Sequence, residues 1–284
     1  MYKGTELTVR AAAPAILAAA LALLNVPAAA APDVAAVLSS DSGPYSEAYA
    51  AFKTEIGRPV AVYDASKSYL EVPEDIRYAA VFGAKATALQ FPPDVHLVYA
   101  LTPLAGRGRL WHEISMVPEP AAALAAYKAL QPGLRRLAIF WAAYPGEKYM
   151  DELDLAGDAA GIEVISVRLK GQEGFPERLR RLMGKMDAFW LMPDPALISQ
   201  SSIMVLASFA CANGIPFYAP TEALMQSGAT ASYSPGFAAS GAAAARALKI
   251  MYDGGKLPSV IYVPDIQIMV NEAAAQKCGW PVRK

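Results

Sequence analysis

The residues best suited to chemistry lie in short loops that follow apolar, strand-like runs. They comprise hydroxyl side chains, small residues, tyrosines and one aspartate between two prolines. Hydroxyls and the N–H groups at helix starts can hold a carboxylate, and an aspartate can hold an ammonium group. Tyrosine rings can stack on an apolar or cationic body. These residue types suit the binding of a small zwitterion rather than the breaking of bonds.

The loops concerned are residues 39–45, 83–85, 142–146, 193–195 and 219–222. In open α/β sheets, ligands bind beyond the carboxyl ends of the strands, which is where these loops fall. Asp194 is the candidate for holding an ammonium, and Tyr45 and Tyr144 are the candidates for stacking. A local interpretation stays open for each, with Ser42 and Thr221 as helix N-caps, Asp194 as a turn residue and the tyrosines as packing residues. Candidate residues of these types recur after strands in both halves of the sequence, which favours the binding interpretation.

The sequence offers no convincing catalytic set. Its two histidines are His96, inside a strand-like run, and His112, in a connecting segment. No G-x-S-x-G, H-E-x-x-H or phosphate-loop pattern occurs. Two histidines and two cysteines are also too few for an all-protein zinc cage. We therefore expect no catalytic residue, no metal, no cofactor and no enzymatic activity.

Composition and charge narrow the possible partners. The 284 residues carry a formal net charge of -1, and 55% of them are hydrophobic. Without a basic patch, nucleic-acid binding is not expected. Part of the apolar content lies in residues 1–30, where a basic start, a short apolar run and an A-x-A site at Ala28 and Ala30 predict a cleaved secretory signal peptide. An uncleaved anchor is the alternative, and the remainder is expected to be a soluble periplasmic protein.

The two cysteines lie in separate predicted helices. Cys211 falls in an apolar stretch and Cys278 near the C-terminus. Export implies an oxidising compartment, in which a disulfide can persist. Unpaired, buried cysteines are the favoured interpretation, because free cysteine behaves as a small hydrophobe, and pairing stays open.

Strand-length apolar runs alternate with amphipathic helical stretches, which predicts an α/β fold with parallel sheets covered on both faces. The predicted strands are 34–38, 60–63, 78–82, 95–100, 137–141, 163–168, 188–192, 216–218 and 259–263. The predicted helices are 46–56, 84–90, 120–130, 146–160, 176–185, 199–213, 221–227, 237–252 and 272–278. The order strand, loop, helix, strand, strand, loop, helix, strand occurs twice, about 100 residues apart, which indicates two similar Rossmann-like lobes. Residues 102–120 are expected to cross between them.

Several stretches resemble a known family. They are DAFWLMPDPALIS, GIPFYAP, SGATASYSPGFAASGAAAARALKIMYDGGKLPS and VNEAAAQKCGW, with YAAVFGAKATAL and HLVYALTP in the first half. In these stretches the chain resembles the substrate-binding proteins of ABC transporters with the type I periplasmic-binding fold, in the branch that includes tryptophan/tyrosine-type binders. The resemblance covers about residues 34–282.

This resemblance implies two lobes that close around a hinge on a small ligand and deliver it to an ABC permease in the inner membrane. It implies that residues 31–115 with about 234–258 form lobe I, and that about 116–233 with 259–284 form lobe II. The positions that match ligand loops are Ser39, Ser40, Tyr45, Gly83, Ala84, Tyr144, Asp194, Thr221 and Tyr233.

One departure is that residues 65–78 leave little room for the long helix that the family places there, so the first lobe is expected to be trimmed. We expect a monomeric, exported solute-binding protein whose ligand is a small organic solute such as an amino acid. The alternative is a periplasmic ligand-sensing or interaction module that serves a signalling partner.

Overall fold

The structure is a computed structural model that describes residue 1 and residues 33–67, 72–103, 111–264 and 266–280. Every helix and strand of the described residues lies in one compact unit, Pro32–Lys284. The predicted signal peptide at residues 1–30 lies outside the described residues, apart from Met1. No helix in the described part of the chain is long and apolar enough to cross a membrane.

In the described residues, the first sheet has six strands, all parallel. They are β1 (Val34–Leu38), β2 (Ala61–Asp64), β3 (Tyr78–Phe82), β4 (His96–Ala100), β5 (Trp111–Ile114) and β11 (Val260–Ile261). Their spatial order is β11-β5-β4-β3-β1-β2. The central strands β1 and β3 are almost entirely buried, as continuous apolar runs between covered faces require.

Helices α1 (Pro44–Ile56) and α7 (Phe237–Tyr252) cover one face of this sheet, and the short helix α2 (Ala84–Thr87) lies on the other. The described residues between β2 and β3, which are 65–67 and 72–77, contain no helix. That face of the sheet is therefore covered by loops and α2, in agreement with the expected trimming of the first lobe.

The two long helices of the first lobe pack with their backbones in contact at Gly241. A Cβ placed on Gly241 would overlap the carbonyl oxygen of Ala48 on α1. The alanines that surround this point on α7, among them Ala244 and Ala245, are fully buried. Small side chains are what allow the close approach, which explains why α7 is so rich in alanine.

Gly241→Ala is expected to lower the free energy of unfolding by about 2 kcal/mol, because α1 and α7 must separate to admit the methyl group. Urea denaturation of the two proteins measures the difference. Gly133→Ala is the matched control, since no heavy atom lies within 4 Å of the added Cβ. An equal loss of stability in Gly133→Ala would show that the close contact between α1 and α7 does not cause the effect of Gly241→Ala.

In the described residues, the second sheet also has six strands, and all but its edge strand are parallel. They are β6 (Arg136–Trp141), β7 (Glu163–Arg168), β8 (Ala188–Leu191), β9 (Phe217–Ala219), β10 (Ala231–Ser232) and β12 (Met269–Val270). Their spatial order is β12-β10-β9-β8-β6-β7, with β12 antiparallel to β10.

Five helices of the described residues cover this second sheet. They are α3 (Pro120–Leu130), α4 (Glu147–Ala160), α5 (Phe175–Leu182), α6 (Gln200–Asn213) and α8 (Glu272–Cys278), and 3-10 turns lie at Gln172–Gly174 and Glu222–Ser227. One face forms a core with α3 and α4, and the opposite face forms a core with α5, α6 and α8. The predicted helix at 221–227 is therefore a 3-10 turn.

The chain passes between the two sheets at three places: from β5 to α3, from β10 to α7, and from β11 to β12. We call these the first, second and third crossings. The lobe boundaries drawn from the sequence remain a proposal. Within that proposal the last boundary falls after Ile261 rather than at 258, because β11 bonds to β5 in the first sheet.

Candidate functional site

The predicted site residues follow strands of both sheets. Ser39 and Ser40 follow β1, Gly83 and Ala84 follow β3, Tyr144 follows β6, Asp194 follows β8, Thr221 follows β9 and Tyr233 follows β10; Tyr45 lies in the first turn of α1. They differ in exposure. Ser39, Gly83, Tyr144 and Asp194 are buried, whereas Ser40, Tyr45, Ala84, Thr221 and Tyr233 are partly or fully exposed.

In the first lobe the structure brings Ser39, Tyr45 and Gly83 together. Gly83 has φ 88°, a left-handed conformation that favours glycine. A Cβ on Gly83 would overlap the Tyr45 ring and lie 2.7 Å from the Ser39 hydroxyl oxygen. That oxygen accepts a hydrogen bond from the Ala86 amide at 3.1 Å. Ser39 and Gly83 thus form the floor on which the Tyr45 ring rests.

The remaining residues of this edge lie further out. The Ser40 hydroxyl is 3.3 Å from that of Ser42, and Ser40 is partly exposed. Ala84 is exposed at the start of α2. The next loop contains Leu101, a non-glycine residue with φ 55°. Such backbone strain gathers at functional edges, and no pattern in the sequence indicates it.

In the second lobe the Asp194 carboxylate is occupied by main-chain donors. One oxygen accepts from the amides of Ala143 at 2.6 Å and Tyr144 at 2.8 Å, and the other accepts from Ala196 at 2.9 Å. The residue is only 3% exposed. This geometry ties the loop after β6 to the loop after β8, and the predicted contact of Asp194 with an ammonium group stays a prediction.

The Tyr144 side chain points toward the first crossing and not into open solvent. Its hydroxyl accepts a hydrogen bond from the Met116 amide at 3.0 Å. The carboxyl of Glu113, at the end of β5, also interacts with this hydroxyl. Tyr144 therefore connects a loop of the second lobe to the end of a strand in the first.

Tyrosine hydroxyls bond to all three crossings. In the first crossing the Tyr149 hydroxyl also donates to the Pro118 carbonyl, at 2.9 Å. In the second, the Tyr233 amide donates to the Tyr127 hydroxyl at 3.4 Å. In the third, the Tyr262 hydroxyl donates to a Glu152 carboxylate oxygen at 3.3 Å. We call Tyr127, Tyr144, Tyr149 and Tyr262 the hinge tyrosines.

The sequence singled out only Tyr144 among the hinge tyrosines. Tyr127 and Tyr149 lie on α3 and α4, where helical spacing of apolar residues explains them equally well as core. Burial raises the pKa of both phenols. They therefore stay neutral hydrogen-bonding groups. The only signal in the sequence was the count of 14 tyrosines.

Glu113 is the buried carboxyl at this hinge. Its side chain is 8% exposed. Burial raises its pKa to about 7, against the opposing effect of the hydrogen bond with Tyr144. In turn, burial and the nearby Glu113 raise the pKa of Tyr144. The sequence analysis did not identify Glu113, because it placed this residue in a connecting segment.

A cavity of about 1270 Å³ lies beside the second crossing. It contains Thr221 among its lining residues, together with Ser232 and Ser234 from the start of the crossing and Glu47 from α1. Thr221 makes no capping bond with its side chain, so its hydroxyl is available to a bound molecule. Of the nine predicted positions, Thr221 is the one that contributes to this cavity.

Cys211 and Cys278 also line the cavity, and they form a disulfide with a Cα–Cα distance of 4.7 Å. The expectation of two unpaired thiols is therefore wrong. The bond joins α6 to α8. The sequence separation of 67 residues gave no indication of their distance in space.

Residues 122–282 match the sequence model of a family described as ABC transporter substrate binding protein, and the match spans more than half of the chain. The chain belongs to this family. The family predicted from the sequence is thus confirmed. A sequence search of curated proteins finds no match to this substrate-binding protein.

Solved structures of similar fold include the ABC domain in complex with L-Trp from Streptococcus pneumonia, at 14% identity and TM-score 0.59, covering 87% of this chain and 94% of that one. A ligand-free, open substrate binding protein with adhesive properties from Clostridium difficile has 14% identity and TM-score 0.63, with coverage of 87% and 94%. A conserved domain protein from Vibrio cholerae has 13% identity and TM-score 0.61, with coverage of 88% and 95%. At these identities the likeness concerns the fold, and it confirms the two-lobe α/β fold of the type I periplasmic-binding class.

Among the residues that the structure describes, no group of three His, Cys, Asp or Glu side chains could hold a metal ion. What the substrate-binding protein presents instead is a set of hydroxyls, aromatic rings and main-chain donors at the carboxyl ends of two sheets. This set can bind and orient a solute.

Proposed function

We propose that the protein is the exported, periplasmic solute-binding component of an ABC uptake system, and that it binds a small organic solute of the amino-acid class without catalysis. Membership of the family supports a small-molecule ligand and an ABC transporter as partner. The observation that carries the ligand proposal is that partly exposed hydroxyls and rings, at Ser40, Tyr45, Thr221 and Tyr233, lie at the strand ends of both sheets.

The nine predicted positions separate into two roles in this proposal. Ser40, Tyr45, Ala84, Thr221 and Tyr233 face the solute. Ser39, Gly83, Tyr144 and Asp194 are buried, and they hold those residues in place. The hydroxyls of Ser40 and Thr221 suit a carboxylate, and the ring of Tyr45 suits the body of the solute. The L-Trp complex of the Streptococcus pneumonia neighbour adds support for an amino acid as ligand class.

Binding is coupled to closure of the lobes, because a solute that touches both lobes favours the state in which they approach. The three crossings are the segments about which this closure occurs. Delivery to a permease in the inner membrane completes the proposed cycle. We propose that the chain does this as a monomer.

A thermal-shift screen of L-amino acids tests the proposal. A ligand at 100 times its dissociation constant stabilises a protein by about 2.7 kcal/mol, which corresponds to a rise of roughly 5–10 °C in Tm for a chain of this size. Mass spectrometry of the natively purified protein identifies any retained solute. If no amino acid or related solute shifts Tm and no small molecule is retained, the proposal is wrong.

Thr221→Val is the sharpest variant for the ligand once one is found. The change removes a hydroxyl that makes no capping bond, so the fold should persist while affinity falls about tenfold, the loss of one hydrogen bond. Thr54→Val is the matched control, because the Thr54 hydroxyl bonds only the Ala50 carbonyl of its own helix in the described contacts. An equal loss of affinity in both variants would remove Thr221 from the site.

A further inference from the structure

Glu113 is placed where the two lobes meet. Its main chain belongs to the first sheet, where its amide donates to the Ser259 carbonyl at 2.8 Å. Its side chain meets the Tyr144 hydroxyl, which comes from the second lobe. Tyr144 is itself fastened to Asp194 through its main-chain amide. We expect a movement of the loop after β6 away from β5 to expose this carboxyl further to water.

The free energy of burying the Glu113 side chain depends on whether its carboxyl carries a charge. A neutral carboxyl can stay buried and share a hydrogen bond with a phenol. An ionised carboxyl loses hydration when it is buried, and one hydroxyl replaces only part of that hydration. Separation of the lobes would return water to the charged group.

We propose that Glu113 is a positioning residue that couples protonation to lobe closure: in its neutral form it allows the Tyr144 loop to stay against β5, and in its ionised form it favours the open arrangement. The coupling acts through the hinge and does not depend on which solute the protein binds. It therefore goes beyond the proposed function, and it gives uptake a dependence on periplasmic pH.

Among the described residues, no cation contributes to the pKa shift of Glu113, which comes from burial against the opposing effect of Tyr144. The Glu113 carboxyl interacts with the Tyr144 hydroxyl of the second lobe. Its charge also acts on the Tyr262 hydroxyl in the third crossing. In the sheet its register partners are Tyr99 on β4 and Val260 on β11. On its own strand, the His112 Nδ1 is 2.7 Å from the Pro258 carbonyl.

The two cations of helix α7 lie beside another carboxylate. Helix α7 packs on the opposite face of β5, where Ile114 points. Its cations Arg246 and Lys249 lie 3.8 and 3.6 Å from the Glu55 carboxylate. Beyond Tyr262, the carboxylates of Glu152 and Glu119 add negative charge. The field at the hinge thus disfavours a further anion.

The size of the effect follows from linkage. The pKa of Glu113 is about 7 when buried, against an ordinary value of 4.5. A proton therefore binds the closed arrangement more tightly than the open one, and closure is favoured as pH falls. Between pH 8 and pH 6 the ratio of closed to open molecules should rise about tenfold.

Distance measurements by double electron–electron resonance on the ligand-free protein test this. Spin labels attached after Val62→Cys on β2 and Leu155→Cys on α4 report the separation of the lobes, and both positions are exposed. The two native cysteines form the disulfide, so they do not take the label. The otherwise unchanged protein is expected to show more of the shorter distance at pH 6 than at pH 8, with the ratio of shorter to longer distances changing about tenfold.

Glu113→Gln should keep the shorter distance at every pH, because the amide preserves the shape of the side chain without a titrating proton. Glu163→Gln, an exposed site on β7, is the matched control and should behave as the parent. A parent protein whose distances ignore pH overturns the proposal, even if Glu113→Gln does not fold. A pH response that survives in Glu113→Gln overturns it as well. Neither outcome bears on whether amino acids bind.

Discussion

Replacing Cys211 and Cys278 together by serine is expected to lower the free energy of unfolding by about 4 kcal/mol, the chain-entropy estimate for a loop closed over 67 residues. The disulfide fastens α8 to α6 near the end of the described chain. Non-covalent contacts also hold this end of the chain: Ala275 is buried in the core, and the Trp280 indole donates to the Ala210 carbonyl at 3.4 Å. Without the covalent bond the unfolded chain gains freedom that these contacts cannot offset.

Urea denaturation under oxidising and reducing conditions measures this effect twice. The parent protein should lose stability when a dithiol reductant is added, whereas the double serine variant should be insensitive to it. Ser201→Ala on the exposed face of α6 is the control for a local change of side chain. A parent protein equally stable with and without reductant would contradict the expectation.

The strands that the sequence predicts best are those buried on both faces. Val34–Leu38 and Tyr78–Phe82 are confirmed residue for residue, because continuous apolar runs bounded by polar loops leave one interpretation. Strand Trp111–Ile114 was missed, since its sequence WHEI contains a histidine and a glutamate and was assigned to the crossover. It forms a strand because β4 and β11 on its two sides supply hydrogen-bond partners.

Position after a strand identifies which loops gather at the edge of a sheet, and Gly83, Tyr144 and Asp194 do follow strands of the two sheets. It does not say where a side chain points. The Tyr144 hydroxyl bonds to the Met116 amide of the first crossing, and Glu113 is a buried carboxyl within the sheet. Such contacts between residues distant in sequence leave no local pattern.

Asp194→Ala is expected to lower the free energy of unfolding of the ligand-free protein by about 3 kcal/mol. The change removes the acceptor of three main-chain amides, two of them in the loop after β6. A hydrogen bond to a charged group contributes about 1.5–3 kcal/mol, and a buried donor without a partner is costly. Water entering the vacated space would offset part of the loss, so the three contributions do not add in full.

Asp194→Asn should fall between the parent and Asp194→Ala, because the amide keeps one accepting oxygen and presents a donor where an acceptor is needed. Asp154→Asn, on the exposed side of α4, is the matched control and should be within about 0.5 kcal/mol of the parent. Urea denaturation without ligand separates the two roles considered for Asp194. A residue that only held an ammonium group would leave the empty protein as stable as the parent. Replacing a positioning residue lowers the stability of the empty protein. Any loss of affinity then follows from displacement of the loop.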